Sequence, residues 1–440
     1  MSNRLKTKAM KTESKRVFKP KLRFPEFEGE SEWNAEKLGA VASLITERAG
    51  NRNCVPMSVT SGVGLVSQQE KFGRTIAGNQ YENYLVLEKN DFAYNKSATK
   101  EFPQGFIAKY SGNEPAAVPN SIFTCFRAHE DGIIPDFLNY LFAGNLHGKW
   151  LNKYIEVSAR AHGSLSIDDE VLLSLPIPLP SGGSSHAEQQ RIAACLTSLD
   201  ELIKAHGQKR DALMAYRKGL LQQLFPRAGA THPPLRFPEF RDQPKWEELA
   251  LGELAEIKLG KMLDSQKHTT GRLLPYLNNA SVRWNNVITS NLPQMYFDDD
   301  ELERFGLRTG DIVVCEGGEP GRAAVWDGRL PDLKFQKAIH RVRFNVPFEP
   351  RMLVLYLEAI AGTTQFEMLF TGGGIKHLTR ETFAQLMIPY VSHAEQKRIV
   401  SCFSSLDNMI FAQTQKFEAL KTHRQGLMQQ LFPTLEVTEA

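Results

Sequence analysis

Few residues in this chain have the types and spacing for covalent chemistry. The run CEGGEPG at 315–321 is glycine-rich, but it lacks the GxGxxG order between a strand and a helix and reads as a tight turn. No GxxxxGK[ST] loop is present to cradle nucleotide phosphates. The eleven histidines show no HExxH or comparable metal spacing. Five cysteines (Cys54, Cys125, Cys195, Cys315, Cys402) are scattered and form no CxxC pair, which predicts reduced thiols in a cytoplasmic protein without a disulfide framework or zinc site.

What remains is hydrogen-bonding chemistry, carried by cations, amides and imidazoles in polar or glycine-flanked stretches. The first half offers TSGVG at 60–64, AYNKSATK with Asn95, Lys96 and Lys100, and SARAHGS with Arg160, His162 and Ser164. The second half offers Lys261 in GKM, and Asn278, Asn279 and Arg283 in LNNASVRW. It continues with Arg322 in GGEPGR, Lys337, His340 and Arg341 in FQKAIHRVR, and Lys376 and His377 in GGGIKHLT. SARAHGSLS and TGGGIKHLT stand at corresponding points, with Gly163 aligned to Gly374. Loops at equivalent positions on two copies of a scaffold can vary without disturbing the fold.

The elements that must position these loops are repeated in the sequence. PKLRFPEFEGESEWNAEKLGAV at 20–41 returns as PPLRFPEFRDQPKWEELALGEL at 233–254, matching Trp33 to Trp246 and Gly39 to Gly252. LPIPLP at 175–180 returns more loosely as LMIPYV at 386–391. The segment from His186 to Pro226 returns from His393 to Pro433, with more than half its positions identical. Between these flanks the interiors diverge. Asp91 answers Asp311, Gly105 answers Gly321, and turn residues followed by β-rich runs predict mixed α/β copies of one fold.

The last repeat is helical. HAEQ places Glu188 and Glu395 near an N-terminus whose dipole favours negative charge. Alternating steps of four and three then give Ile192, Leu196, Leu199, Ile203, His206, Arg210, Leu213, Arg217, Leu220 and Leu224. The second copy gives Ile399, Phe403, Leu406, Ile410, Gln413, Phe417, Leu420, Arg424, Leu427 and Leu431. Such spacing is a coiled-coil seam, with His206 and Gln413 as register-setting polar positions. Each helix runs roughly 60 Å at ~1.5 Å per residue and stops at its proline. Two such units in one chain predict a pseudo-twofold arrangement with the helices antiparallel.

The 440 residues are 42% hydrophobic and 23% charged, the balance of an ordinary globular protein. No apolar run reaches the ~18 residues of a membrane span, and the basic first residues lack the apolar stretch of a secretory signal. The net charge of +3 implies no strongly basic surface overall, so any nucleic-acid contact must be local.

Taken together, LRFPEF…W, the LPIPLP and LMIPY exits, the paired HAEQ(Q/K)RI…SLD helices and the two QQLFP ends resemble the specificity subunit of type I restriction–modification systems. The resemblance covers nearly the whole chain. It implies an α/β chain with two target recognition domains of mixed α/β fold, separated by two long antiparallel coiled-coil helices. The boundaries expected are a basic tail at 1–19, domains at 20–185 and 227–392, helices at 186–226 and 393–433, and a tail at 434–440. Each domain is implied to read one half of a split sequence in double-stranded DNA. Arg or Lys would face guanine, Asn or Gln adenine, and other cations the phosphates.

The chain itself is implied to be noncatalytic and to bind no cofactor, consistent with its lack of an NPPY-like or DPPY-like methylation tetrapeptide. S-adenosylmethionine belongs to two modification subunits that methylate adenine, and ATP and Mg to restriction subunits. The polar first turns and exposed flanks of the helices are where the modification subunits are expected to dock. The competing reading is a coiled-coil structural adaptor with no base-specific recognition.

Overall fold

The computed structural model describes residues 17–60, 63–78, 80–154, 156–157, 165–227, 229–262, 271–372 and 376–433. Contacts divide the chain into two units. The first holds residues up to His206 together with those from Lys416 on, and the second holds Gly207–Gln415. The boundaries fall inside the two long helices rather than at their ends.

The repeated segments at 20–41 and 233–254 fold alike in the two units, because their residues are nearly the same. Pro25–Phe27 and Pro238–Phe240 form single 3-10 turns with proline at the first position, where its missing N–H costs nothing. The strands that follow, Trp33–Lys37 and Glu247–Ala250, pair antiparallel with the exit strands Pro176–Leu179 and Met387–Tyr390. Pro176 and Pro178 lie two apart and so face the same edge; lacking N–H groups, they close it to further pairing. One-turn helices at Leu38–Val41 and Leu251–Leu254 then approach the ends of the helices Asp169–Leu173 and Arg380–Ala384 closely. A Cβ on Gly39 or Gly252 would sit 3.2 Å from the Leu173 Cβ or 3.1 Å from the Ala384 Cβ, which accounts for glycine at both positions.

The interiors share a frame. In the first unit a sheet runs in the order Ala42–Leu44, Phe123–Ala128, Phe92–Asn95, Phe106–Lys109. In the second it runs Ala255–Leu259, Ile339–Phe344, Ile312–Cys315, Ala323–Val325, antiparallel throughout in both cases. The predicted match of Asp91 to Asp311 has a structural basis. Each carboxylate accepts a backbone N–H three residues back, from Glu88 at 2.6 Å or Arg308 at 2.7 Å. Each also binds an arginine across the sheet through two nitrogens, Arg127 or Arg343. Gly105 and Gly321 match as well, at φ of 82° and 87°, a region glycine enters without strain. A second sheet with one parallel pair stands in each unit: Val55–Thr60 beside Ala116–Val118, and Arg272–Leu277 beside Lys334–Phe335. The predicted mixed α/β class is what the chain forms.

The long helices run Ser185–Leu224 and His393–Leu431, each ending two residues before its proline. Their apolar residues join the unit cores directly. Ile192, Leu196, Leu427, Met428 and Leu431 pack with Trp33, Phe137 and Leu138 in the first unit. Leu213, Leu220, Ile399, Phe403, Leu406 and Ile410 pack with Trp246, Met352 and Leu353 in the second. Leu199, Ile203, Phe417 and Leu420 are only half-buried, so the predicted seam is not uniformly dry.

Candidate nucleic-acid interface

The first turns of the long helices face inward. Glu188 accepts from Arg23 Nε at 2.8 Å, Arg23 Nη2 at 2.7 Å and Trp33 Nε1 at 3.2 Å. Glu395 makes the same three bonds with Arg236 and Trp246, at 2.8, 2.7 and 3.2 Å. Gln189 and Gln396 each accept the backbone N–H that opens a neighbouring helix, at Ile134 and Glu349. The HAEQ turns are therefore clasps on the LRFPEF…W segments. Both glutamates are buried, so these two side chains are not free for a docking partner, whereas His186 and His393 in the same turns are exposed. The sequence supplied the dipole argument for Glu188 and Glu395 but not their arginine partners.

In the second unit the structure brings several candidate residues to one place. Asn278 caps the 3-10 turn Asn279–Ser281, its Oδ1 accepting from the Ser281 N–H at 3.1 Å. The Asn279 carbonyl accepts from Arg322 at 2.7 Å, and a Cβ on Gly318 would lie 2.8 Å from the Asn279 amide nitrogen. His377 Nδ1 lies 3.1 Å from Glu316, and Gly317 bridges to His377 through the backbone. The Glu316 N–H also donates to the Ala338 carbonyl at 2.9 Å, beside Lys337. The CEGGEPG turn thus ties the Asn279 turn, the Lys337 loop and the Lys376–His377 loop together. Around this cluster Arg283, Lys337 and Lys376 are exposed cations, Lys376 pairing with Glu367 at 2.9 Å.

Four other candidates are structural instead. Lys261 is buried against Glu301, with a bond to the Tyr296 carbonyl at 2.9 Å. Arg322 is buried between Asn279 and Glu319. Arg341 is buried on the carbonyl of Gly306 and the carboxylate of Glu256, its pKa lowered by burial. His340 is fully buried, with Nε2 2.7 Å from the Leu378 carbonyl and its pKa lowered by burial. Residues 339–344 form an interior strand, so FQKAIHRVR is not the surface loop its polarity suggested. Glu316, which joins two of the loops, carried no signal in the sequence beyond its place in the glycine-rich turn.

In the first unit Asn95 ends a sheet strand, its Oδ1 accepting from the Ser97 N–H at 3.1 Å. Lys96 is half-buried, and its carbonyl accepts from the Leu165 N–H at 2.7 Å; Lys100 is exposed. Arg160, His162 and Ser164 lie outside the described residues, as do Gly163, Gly374 and part of TSGVG. Among the described residues no group of three or more His, Cys, Asp and Glu could hold a metal ion. No described helix is long and apolar enough to cross a membrane.

Residues 244–422 match the family model of the type I restriction modification DNA specificity domain. Over 334 residues the chain is 24% identical to a Methanocaldococcus jannaschii protein assigned as the type I restriction enzyme MjaX specificity subunit, covering 74% of this chain and 73% of that protein. It is 22% identical over 290 residues to the MjaVIII specificity subunit of the same organism, covering 64% and 66%. Two solved structures share the fold. One, from a study of assembly and conformational transition in the type I R-M system, has a TM-score of 0.56 and 18% identity over 91% of this chain and 97% of that one. The other, the S subunit of a type I system from M. genitalium, has a TM-score of 0.55 and 16% identity over 95% and 100%. The domain matched is one of DNA specificity. Residues 244–422 thus match that domain, and over most of its length the chain is similar to specificity subunits of type I restriction–modification systems.

Proposed function

We propose that this chain reads a bipartite target in double-stranded DNA, one half with each unit, and directs adenine methylation or restriction by partner subunits. The observation that carries this reading is a conserved frame with unlike loops. The clasps at Glu188 and Glu395 and the Asp–Arg bridges at Asp91 and Asp311 are the same in both units. The side chains hung on that frame differ: Lys96 and Lys100 in one, Asn279, Arg283, Lys337 and Lys376 in the other. A common scaffold with divergent surface loops suits two reading heads of one design and two base sequences.

The two long helices are inferred to pair antiparallel as the spacer, related by a pseudo-twofold axis. Supporting this, Asp200 binds Arg424 and Asp407 binds Arg217, and the repeat exchanges these two pairs. The chain is proposed to be noncatalytic and to bind no cofactor. S-adenosylmethionine would then sit on two modification subunits, and ATP and Mg on restriction subunits. In a host carrying this gene with its modification partners, long-read methylation mapping should return two half-sites at a fixed spacing. Methylation with no sequence context, or within a single undivided site, would overturn the reading.

A further inference from the structure

An ion network in the second unit reaches further than its counterpart in the first. Arg217, on the first long helix, binds Asp407 of the second helix at 2.5 Å and Glu358 through two nitrogens at 2.6 and 3.0 Å. Glu358 belongs to the helix Pro350–Ile360. Its second oxygen also accepts from the Asn285 side-chain amide at 3.0 Å. Asn285 stands at the tip of the short hairpin Val282–Arg283 and Asn286–Val287, at φ 59°, and its N–H donates to the Ala323 carbonyl at 3.0 Å. Arg283 is the exposed cation on that hairpin, while its neighbour Trp284 packs into the unit's core.

In the first unit Arg424 takes the place of Arg217 and Asp200 that of Asp407. The residue at the position of Glu358 is Ala143, fixed by the matching bonds from Gln189 and Gln396 to the N–H groups just before Pro135 and Pro350. The clasp between the helices is thus common to both units, and the reach out to a surface hairpin belongs to the second alone. Asp407 also pairs with Arg351, so two guanidinium groups share Asp407 and Glu358 within the network. Beyond that charge balance, Glu358 carries the hydrogen bond to Asn285.

We propose that Glu358 and Asn285 are positioning residues that hold the Arg283 hairpin in its reading position by tying it to the spacer helix. This rests on the reading of the second unit as a DNA-reading head. Val282 and Val287 are buried and Trp284 packs against the core, which anchors the base of the hairpin, so loss of the amide bond frees its tip more than it weakens the core. A hydrogen bond to a charged group, once lost, costs roughly tenfold in an equilibrium that depends on it.

The test uses the full chain assembled with its modification subunits, and duplexes carrying the mapped target or single-base changes in either half-site. Asn285→Gly keeps the left-handed backbone free of strain while removing the amide, and Glu358→Ala removes the acceptor. Arg283→Ala identifies the half-site that this hairpin reads. Discrimination at that half-site should fall roughly tenfold in both variants, with the other half-site within about twofold and the salt dependence of binding unchanged. Combining the two substitutions should lower discrimination no further than either alone, because both act on the hairpin through the same Asn285–Glu358 bond. If Glu358→Ala fails to fold, Asn285→Gly alone decides the matter. Unchanged discrimination in Asn285→Gly, equal loss at both half-sites, or no effect of Arg283→Ala would each overturn the positioning role and leave two-headed reading intact. Absence of base discrimination by the unaltered complex would instead sink the reading itself.

Discussion

Glu395 is fully enclosed and held by three donors, and the guanidinium that supplies two of them is itself buried. Removing the carboxylate strands that cation. Glu395→Ala should therefore lower stability by about 3–5 kcal/mol, and Glu188→Ala by a similar amount. Glu303→Ala, which breaks only the exposed pair with Arg308, should change stability by less than about 1 kcal/mol. Urea unfolding of the full chain distinguishes the two cases, and equal midpoints for Glu395→Ala and Glu303→Ala would contradict the clasp. A second buried group makes the first unit acid-sensitive. His147 is enclosed beside Tyr94 and Phe142, and burial pushes its pKa down to about 4, opposed by a weak bond to the Gly105 carbonyl. Unfolded, it titrates at about 6.5, so the neutral ring favours the fold above that pH. That contribution drains away as pH falls from 6.5 towards 4, up to about 3 kcal/mol. His147→Leu should flatten this part of the stability–pH curve; an unchanged slope would show that other groups set it. At this scale the sequence misled most where polarity looked like exposure. Lys261, Arg322, His340 and Arg341 are inside because carboxylates and carbonyls from distant segments meet them, and a linear reading cannot see those partners.

The elements were far more legible than their contacts. Heptad spacing located both long helices, and proline placed their ends within two residues. The LPIPLP repeat and the Trp and Gly matches were legible as correspondences, but not that the first is a strand or that the glycines mark a close approach. The helix interior was less predictable. Arg217 and Arg424 occupy seam positions yet make ion pairs, because each meets an aspartate from the other helix. Seven residues added to both helices keep the seam in phase, as one heptad returns nearly to the same face. They lengthen each helix by about 10 Å, equal to about three base pairs of B-DNA. Methylation mapping of this variant should show a changed spacing between half-sites whose bases are unaltered. Altered bases with the old spacing would show that the helices do not set the distance.

Across the whole molecule, the repeated flanks made the two-unit plan readable, since near-identical residues build near-identical clasps. The asymmetry between the units was not readable, because it arises in the divergent interiors, where Glu358 faces a position held by Ala143 in the first copy. Nor was the division of the long helices between the units, which follows from which core each apolar turn enters. That division has a consequence for how the chain is made. The second unit is one unbroken stretch, Gly207–Gln415, whereas the first needs Leu427, Met428 and Leu431 to close its core. During synthesis the unit begun first is therefore the one finished last. It waits with an open apolar face, including Trp33, Phe137 and Leu138, while the whole of its partner emerges from the ribosome and folds.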